Sequence, residues 1–293
     1  MAGNKKSNKA ELVYQMIKFT ILCENTVLSS LGIIGEHGLS VLIEKDNRSY
    51  LFDTGQGVGI LHNAMYLKKD LSTLDRIFLS HGHYDHTGGL LKVLKQVKNI
   101  QVHGHSDIFL KRFAMTKRYG KDIKKDISIP EAKYVYESMG ADFVFDKKFR
   151  EAVPGIWLTG EVPRLTPFEK GDSKLVVEQS GGLLPDHVND DQALVVETPK
   201  GLAVILGCAH SGMINTLIHI GKNLDRKIYM VFGGTHTGFL DKKQLDQTID
   251  AAKGFSIEKL GVSHCTGVTG TMRFMQEFGK SFFPANAGVE IEV

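Results

Sequence analysis

Between residues 77 and 90 the chain reads IFLSHGHYDHTGGL, and four of six positions, His81, His83, Asp85 and His86, carry metal-ligand side chains. Neutral imidazole and carboxylate are good donors for zinc, iron and manganese. A hydrophobic core has little use for three clustered histidines. His81 and His83 are spaced i, i+2, so an extended backbone points both to one side. Asp85 and His86 follow where the chain turns into a helix, so one loop can serve two adjacent ions. Ordinary polar loop residues would not explain such a density of ligand types. Three more apolar runs end in a histidine within a small-residue loop: His210 in GCAHSG, His236 in GGTHTG and His264 in SHCTG.

The elements that hold these loops alternate between strand and helix. IKFTILCEN reads as a strand, and LSVLIEKDNRSYLFDTG as a hairpin turning at KDNR. NAMYLKKDLSTL is amphipathic and helical, DRIFLS returns to strand, TGGLLKVLKQV is helical and NIQVHGH is again a strand. This is an α/β (α+β) pattern in which strand ends deliver polar residues, where such proteins collect functional groups. Residues 106–185 break it with a basic helical segment, FLKRFAMTKRYGKDIKK, then short strands YVYES, DFVFDKKF and GIWLTGEV. They read as an insertion or lid within one domain spanning 16–293. Residues 1–15 are polar and basic, without the apolar middle of a signal peptide, and read as a disordered extension.

A chain of 293 residues, 42% hydrophobic and 24% charged, can bury a sizeable core. A net charge of +3 is too small to argue for a nucleic-acid partner. No apolar run reaches the roughly 18 residues of a membrane span. Cys23, Cys208 and Cys265 make no disulfide framework, which fits a reducing cytoplasm. No oligomeric state is read from the sequence.

HGHYDH resembles the His-x-His-x-Asp-His signature of the metallo-β-lactamase superfamily, and the upstream LFDTG resembles its strand-ending Asp motif. EHGLSVLIE, DDQALVV, GCAHSG, GGTHTG and SHCTG are similar to a branch that includes dihydropterin–ribofuranosylaminobenzene phosphate synthases. The resemblance implies an αββα sandwich with a dinuclear site at the sheet edge and an insertion between the first metal motif and the later ligands. It implies two divalent transition metals, zinc foremost and iron or manganese as alternatives. His81, His83 and His210 would hold one ion, and Asp85, His86 and His264 the other. Asp53 resembles the carboxylate that orients a ligand histidine. One departure stands out: where many members have a bridging Asp after the penultimate strand, this chain reads LGCAHSG. Cys208 is read as a small buried residue beside His210, with the bridging place as the alternative.

The expected catalytic residues are Asp85 and His236, the latter protonating the leaving group, with metal ligation or plain structure as its alternatives. His37 and His105 could face the cleft, but a structural role or support of a ligand residue is the main reading for each. His187 has a ligand role only as the lesser reading, and Asp190 and Asp191 stay open between caps, supports and ligands. His62, His103 and His219 are structural. Cys265 lacks a separate base for a nucleophile role. The cluster Lys111, Arg112, Lys117, Arg118, Lys121, Lys124 and Lys125 reads as a solvated helix face able to draw in an anionic substrate.

These readings predict a metal-dependent hydrolase in which two cations share a hydroxide and act on a small anionic ester or phosphoester. The first alternative is a transferase joining a dihydropterin methyl diphosphate to a ribofuranosylaminobenzene phosphate. The second is a non-catalytic binding or regulatory protein on the same fold.

Overall fold

The computed structural model describes residues 16–28 and 32–293, with the side chain of Arg118 excepted; the expected extension at 1–15 lies outside the described residues. Two mixed sheets face each other. The first runs Glu290–Glu292, Lys18–Cys23, Ser40–Lys45, Arg48–Phe52, Leu74–Phe78, Ile100–Gly104, Ala141–Phe145 in spatial order. The second runs Lys259–Ser263, Ile228–Gly234, Gly201–Leu206, Leu194–Thr198, Ile156–Leu158, Arg150–Val153.

Alternation along each strand explains the layers. Phe19, Ile21, Val41 and Ile43 point inward to meet Val196, Ala203, Ile205 and Phe232 of the facing sheet. Their neighbours Leu22 and Leu42 point outward, under the helices Ile60–Tyr66 and Leu90–Leu94. Val195, Val204 and Val231 likewise face the helices Met213–Asn223, Lys242–Lys253 and Gly267–Phe278. Helix, sheet, sheet, helix is the expected αββα sandwich. The expected hairpin is also present, its turn made by Asp46 and Asn47 at φ 52° and 60°, a primed turn that suits the strand twist.

The stretch 106–185 does not stay together. Its ends, Arg112–Arg118, Lys121–Asp126, Leu175–Gln179 and Gly182–Pro185, build a separate four-stranded sheet. Its middle extends both core sheets at one side, Ala141–Phe145 on the first, and Ile156–Leu158 followed by the edge strand Arg150–Val153 on the second.

Two local expectations are corrected. FLKRFAMTKRYGKDIKK is a β-hairpin, not a helix: Tyr119 and Gly120 take positive φ at its turn, and Arg112–Arg118 pairs with both Lys121–Asp126 and Leu175–Gln179. Pairing and turn chemistry override the modest helical preference of Lys and Arg. YVYES is helical within Lys133–Ser138, because that conformation buries Tyr136 against Phe109 and Phe143.

Candidate metal centre and cleft

The strand Leu74–Phe78 delivers His81 and His83 in extended backbone, His83 at φ −77° and ψ 147°, just before the short helix Tyr84–Thr87 that carries Asp85 and His86. Gly82 is required between them, since a Cβ there would stand 2.1 Å from the Ile108 carbonyl oxygen. The strands Gly201–Leu206, Ile228–Gly234 and Lys259–Ser263 deliver His210, His236 and His264 to the same edge. Asp53, Ala209, His236 and His264 all have φ between 52° and 57°, so the loops around the site hold a conformation non-glycine residues seldom adopt.

All six sequence-predicted ligands meet in one buried cluster. His81 Nε2 stands 2.9 Å from His83 Nδ1 and 3.3 Å from His210 Nε2. His86 Nε2 stands 3.1 Å from His264 Nε2, and Asp85 Oδ2 lies 3.3 Å from the same His264 nitrogen. His81, His83 and His210 form one donor group, His86 falls with His81 and Cys208, and Asp85 and His264 fall with His37. His37, exposed at the mouth, adds its Nε2 at 3.2 Å from Asp85 Oδ2. Asn25, which no sequence signal marks, stands with Oδ1 2.9 Å from His264 Nδ1.

The electrostatics suit a cation. Burial and the neighbouring rings, His86 and His83 foremost, push His81 well below the ordinary imidazole range. Burial and Arg112 do the same to His83, and burial and His236 to His210, so all three present lone pairs. Burial would raise the Asp85 carboxyl, but His86 and His264 outweigh it and keep it ionised. Two nitrogens bound to one tetrahedral ion at about 2.0–2.1 Å stand about 3.3 Å apart, so His81, His83 and His210 converge as such a donor set would. The residues present fit a divalent metal.

Supports hold the donors. Asp53 Oδ2 lies 2.7 Å from His86 Nδ1, as expected, and its two oxygens accept from the amide and hydroxyl of Ser80, each at 2.7 Å. Ser80 Oγ in turn stands 2.9 Å from His81 Nδ1. Asp190 accepts from the Gly82 amide at 2.8 Å and Asp191 from the Ser211 amide at 3.2 Å, so each holds a loop of the site by one oxygen. Arg164 donates to the backbone carbonyls of His210 and His187 at 2.9 and 2.6 Å. Glu169 accepts from Ile214 and Asn215 at 2.8 Å each, anchoring the helix that follows His210.

Cys208 is buried, but its Sγ lies 3.2 Å from His86 Nε2 and groups with His81 and His86. It therefore stands at the junction of the two trios. His236 lies beside them, its ring centroid 4.3 Å from that of His210. Its Nε2 is 3.3 Å from Asp172 Oδ2, a partner the sequence did not suggest. Burial would lower this imidazole, but Asp172 and Cys265 outweigh it and raise it to about 9.

The remaining histidines do not join the cluster. His105 Nε2 meets Glu161 at 3.0 Å, His62 meets the Gly32 carbonyl at 2.7 Å, and His219 the Thr159 carbonyl at 3.1 Å. His103 is buried 2.9 Å from Arg150. His187 contributes its backbone carbonyl to Arg164. The basic cluster is also divided: Arg112 is fully buried against Asp186 and Asp190, not on a solvated face, whereas Lys125 reaches the site.

A cleft of about 450 Å³ opens over the cluster, bounded by His37, Tyr84, Lys125, Lys174, His236 and Phe239. A second lobe of about 490 Å³ beside His210 shares Asp172, Lys174, Leu175 and Phe239 with the first and adds Arg164 and Lys170.

This chain belongs to the metallo-β-lactamase superfamily, whose family model matches residues 33–264, and it is an enzyme of that fold. Superfamily members usually bind divalent metals. The chain is 32% identical over 291 residues to the 7,8-dihydropterin-6-methyl-4-(beta-D-ribofuranosyl)-aminobenzene-5'-phosphate synthase of Methanocaldococcus jannaschii, covering 93% of this chain and 95% of that one. It is 33% identical over 263 residues to the protein MJ0448 of the same organism, covering 89% and 94%. Among solved structures it is similar to Tm1679, a metal-dependent hydrolase of the β-lactamase superfamily, with a TM-score of 0.80 at 28% identity, covering 94% of this chain and 99% of the other. Among the described residues no helix is long and apolar enough to cross a membrane.

Proposed function

We propose that the protein is a metal-dependent hydrolase of a small anionic ester or phosphoester, acting from the cytoplasm through two divalent transition metals, most simply zinc. The observation that carries this reading is the convergence of two histidine-rich donor trios, with Cys208 beside them, on the floor of an open cleft. His81, His83 and His210 would hold one ion and Asp85, His86 and His264 the other; Cys208, with Sγ 3.2 Å from His86 Nε2, would be a further donor beside both trios. When bound, the ions supply Lewis acidity, activating water at neutral pH and polarising the reacting centre.

The chain's own side chains do the rest. Lys125 and Lys174 line the cleft and attract and orient an anionic group. His236, held by Asp172, carries a proton at neutral pH and delivers it to the leaving group from Nδ1, which is buried with no protein partner. Asp85 counts as catalytic because its charge holds the second ion.

The test is metal analysis of the full chain and of His83→Ala, with assays on phosphodiester, phosphomonoester and lactone panels. Parent protein should carry up to two ions per chain and His83→Ala fewer, with activity lost in parallel. Full occupancy in His83→Ala rejects the reading.

The named synthase relative and the second lobe favour one other reading, a transferase with the same ligands. The two separate in one assay: a hydrolase releases product with water alone, while a transferase requires an aminobenzene phosphate acceptor.

A further inference from the structure

Arg112 is the largest fully buried side chain among the described residues. Its Nε lies 2.9 Å from Asp186 Oδ2, and its Nη1 donates to Asp190 Oδ2 at 2.7 Å. That same Asp190 oxygen accepts the Gly82 N–H at 2.8 Å, between the two ligand histidines His81 and His83. Asp190 is 0% exposed, and its other oxygen has no protein partner. The backbone of residue 112 grips the loop from the other flank. Its N–H donates to Ser128 Oγ at 2.9 Å, and Ser128 forms a β-bridge with His83. Buried charges are costly unless paired, so this network does more than add stability: a surface loop would be held more cheaply by water.

We propose that Asp190, held by Arg112, is a positioning residue whose carboxylate fixes the Gly82 amide and with it the separation of the His81 and His83 nitrogens. The four-stranded sheet that walls the cleft is thereby tied to the metal loop by this buried ion pair as well as by the Ser128–His83 bridge. The proposal rests on the reading that His81 and His83 hold a cation.

The experiment measures zinc affinity of the full-length chain by competition with a chromophoric chelator, alongside thermal stability of the zinc-free protein. Asp190→Ala removes the acceptor and should weaken zinc binding about 10–100-fold, the usual range for a residue that holds a ligand. Asp190→Asn keeps an oxygen where Gly82 and Arg112 need it and should bind zinc within a few-fold of the parent. Asp186→Asn disturbs the same ion network without touching the loop, so it should lower thermal stability and leave zinc affinity unchanged. Zinc binding as tight in Asp190→Ala as in the parent, or an equal loss in Asp186→Asn, overturns the proposal. If Asp190→Ala does not fold, Arg112→Lys reads the same coupling: its Nζ stops short of Asp190, several-fold weaker binding is expected, and parent-like binding overturns it. His83→Ala separates the two readings. If it keeps full zinc, the metal assignment fails; if it loses zinc and Asp190→Ala does not, positioning alone fails.

Discussion

Asp53 Oδ2 and His86 Nδ1 lie 2.7 Å apart with both side chains fully excluded from water. Burial would lower His86, but Asp53 and Asp85 outweigh it and raise it to about 8. Asp53 accepts from Nδ1, so a bound cation would displace the proton from Nε2, the nitrogen that faces His264 and Cys208. Asp53→Asn keeps the shape and removes the charge. We expect it to bind the ion that His86 would hold about 10–100-fold less tightly, read by chelator competition, and parent-like affinity would argue that Asp53 is merely structural.

Cys208 gives a spectroscopic prediction. If its Sγ bridges the two donor trios, the cobalt-loaded parent should show thiolate-to-metal charge-transfer absorption in the near ultraviolet. Cys208→Ser should lose that band and hold the second ion more weakly, while Cys208→Asp should recover the affinity without the band. A band that persists in Cys208→Ser assigns the thiolate elsewhere.

His236→Ala should retain both metals and lose about 10²–10⁴-fold in turnover, with a smaller loss on substrates whose leaving group needs no proton. The donating form is the protonated one, so activity should decline as pH rises through about 9. Asp172 is the strongest stabiliser of that proton, so Asp172→Asn should move this alkaline limb to lower pH. An alkaline limb that stays in place removes His236 as the acid.

Only part of the basic cluster faces the cleft. Neutralising Lys125, which donates to Tyr84 Oη at 2.8 Å, together with Lys174 should raise KM for an anionic substrate several-fold, and the difference should shrink with salt. Lys117, with its side chain 78% exposed and off the cleft wall, serves as the control. Equal effects from the control would point to a diffuse surface field.

His103 predicts an acid-side stability effect away from the metals. Burial and the cations Arg150 and Arg76 depress it from 6.5 to about 4. The unfolded chain therefore takes up a proton between those values that the folded chain refuses, and stability falls as pH drops from 6.5 toward 4. His103→Gln keeps an acceptor for Arg150 and removes the titration, so its thermal midpoint should vary less across that window. An unchanged slope sinks the assignment.

The candidate donor cluster was legible in sequence because it is written in local spacing. His81, His83, Asp85 and His86 share one loop, and apolar strands announce where His210, His236 and His264 must emerge. The sandwich followed from the same alternation of strand and helix, since period-two burial states which face of each strand is covered. The hairpin at 112–126 was not legible, because lysine-rich segments fit either conformation until a pairing strand from 175–179 selects one. The partners were illegible for a related reason. Asp172 reaches His236 across 64 positions, Asn25 reaches His264 across 239, and Arg112 reaches Asp190 across 78. Residue type by itself could not tell the buried Arg112 from the exposed lysines around it, because a charge enters a protein interior only where folding supplies its counter-charge. Local chemistry thus belongs to the sequence, while the long-range contacts that tune it exist only once the two sheets have closed on each other.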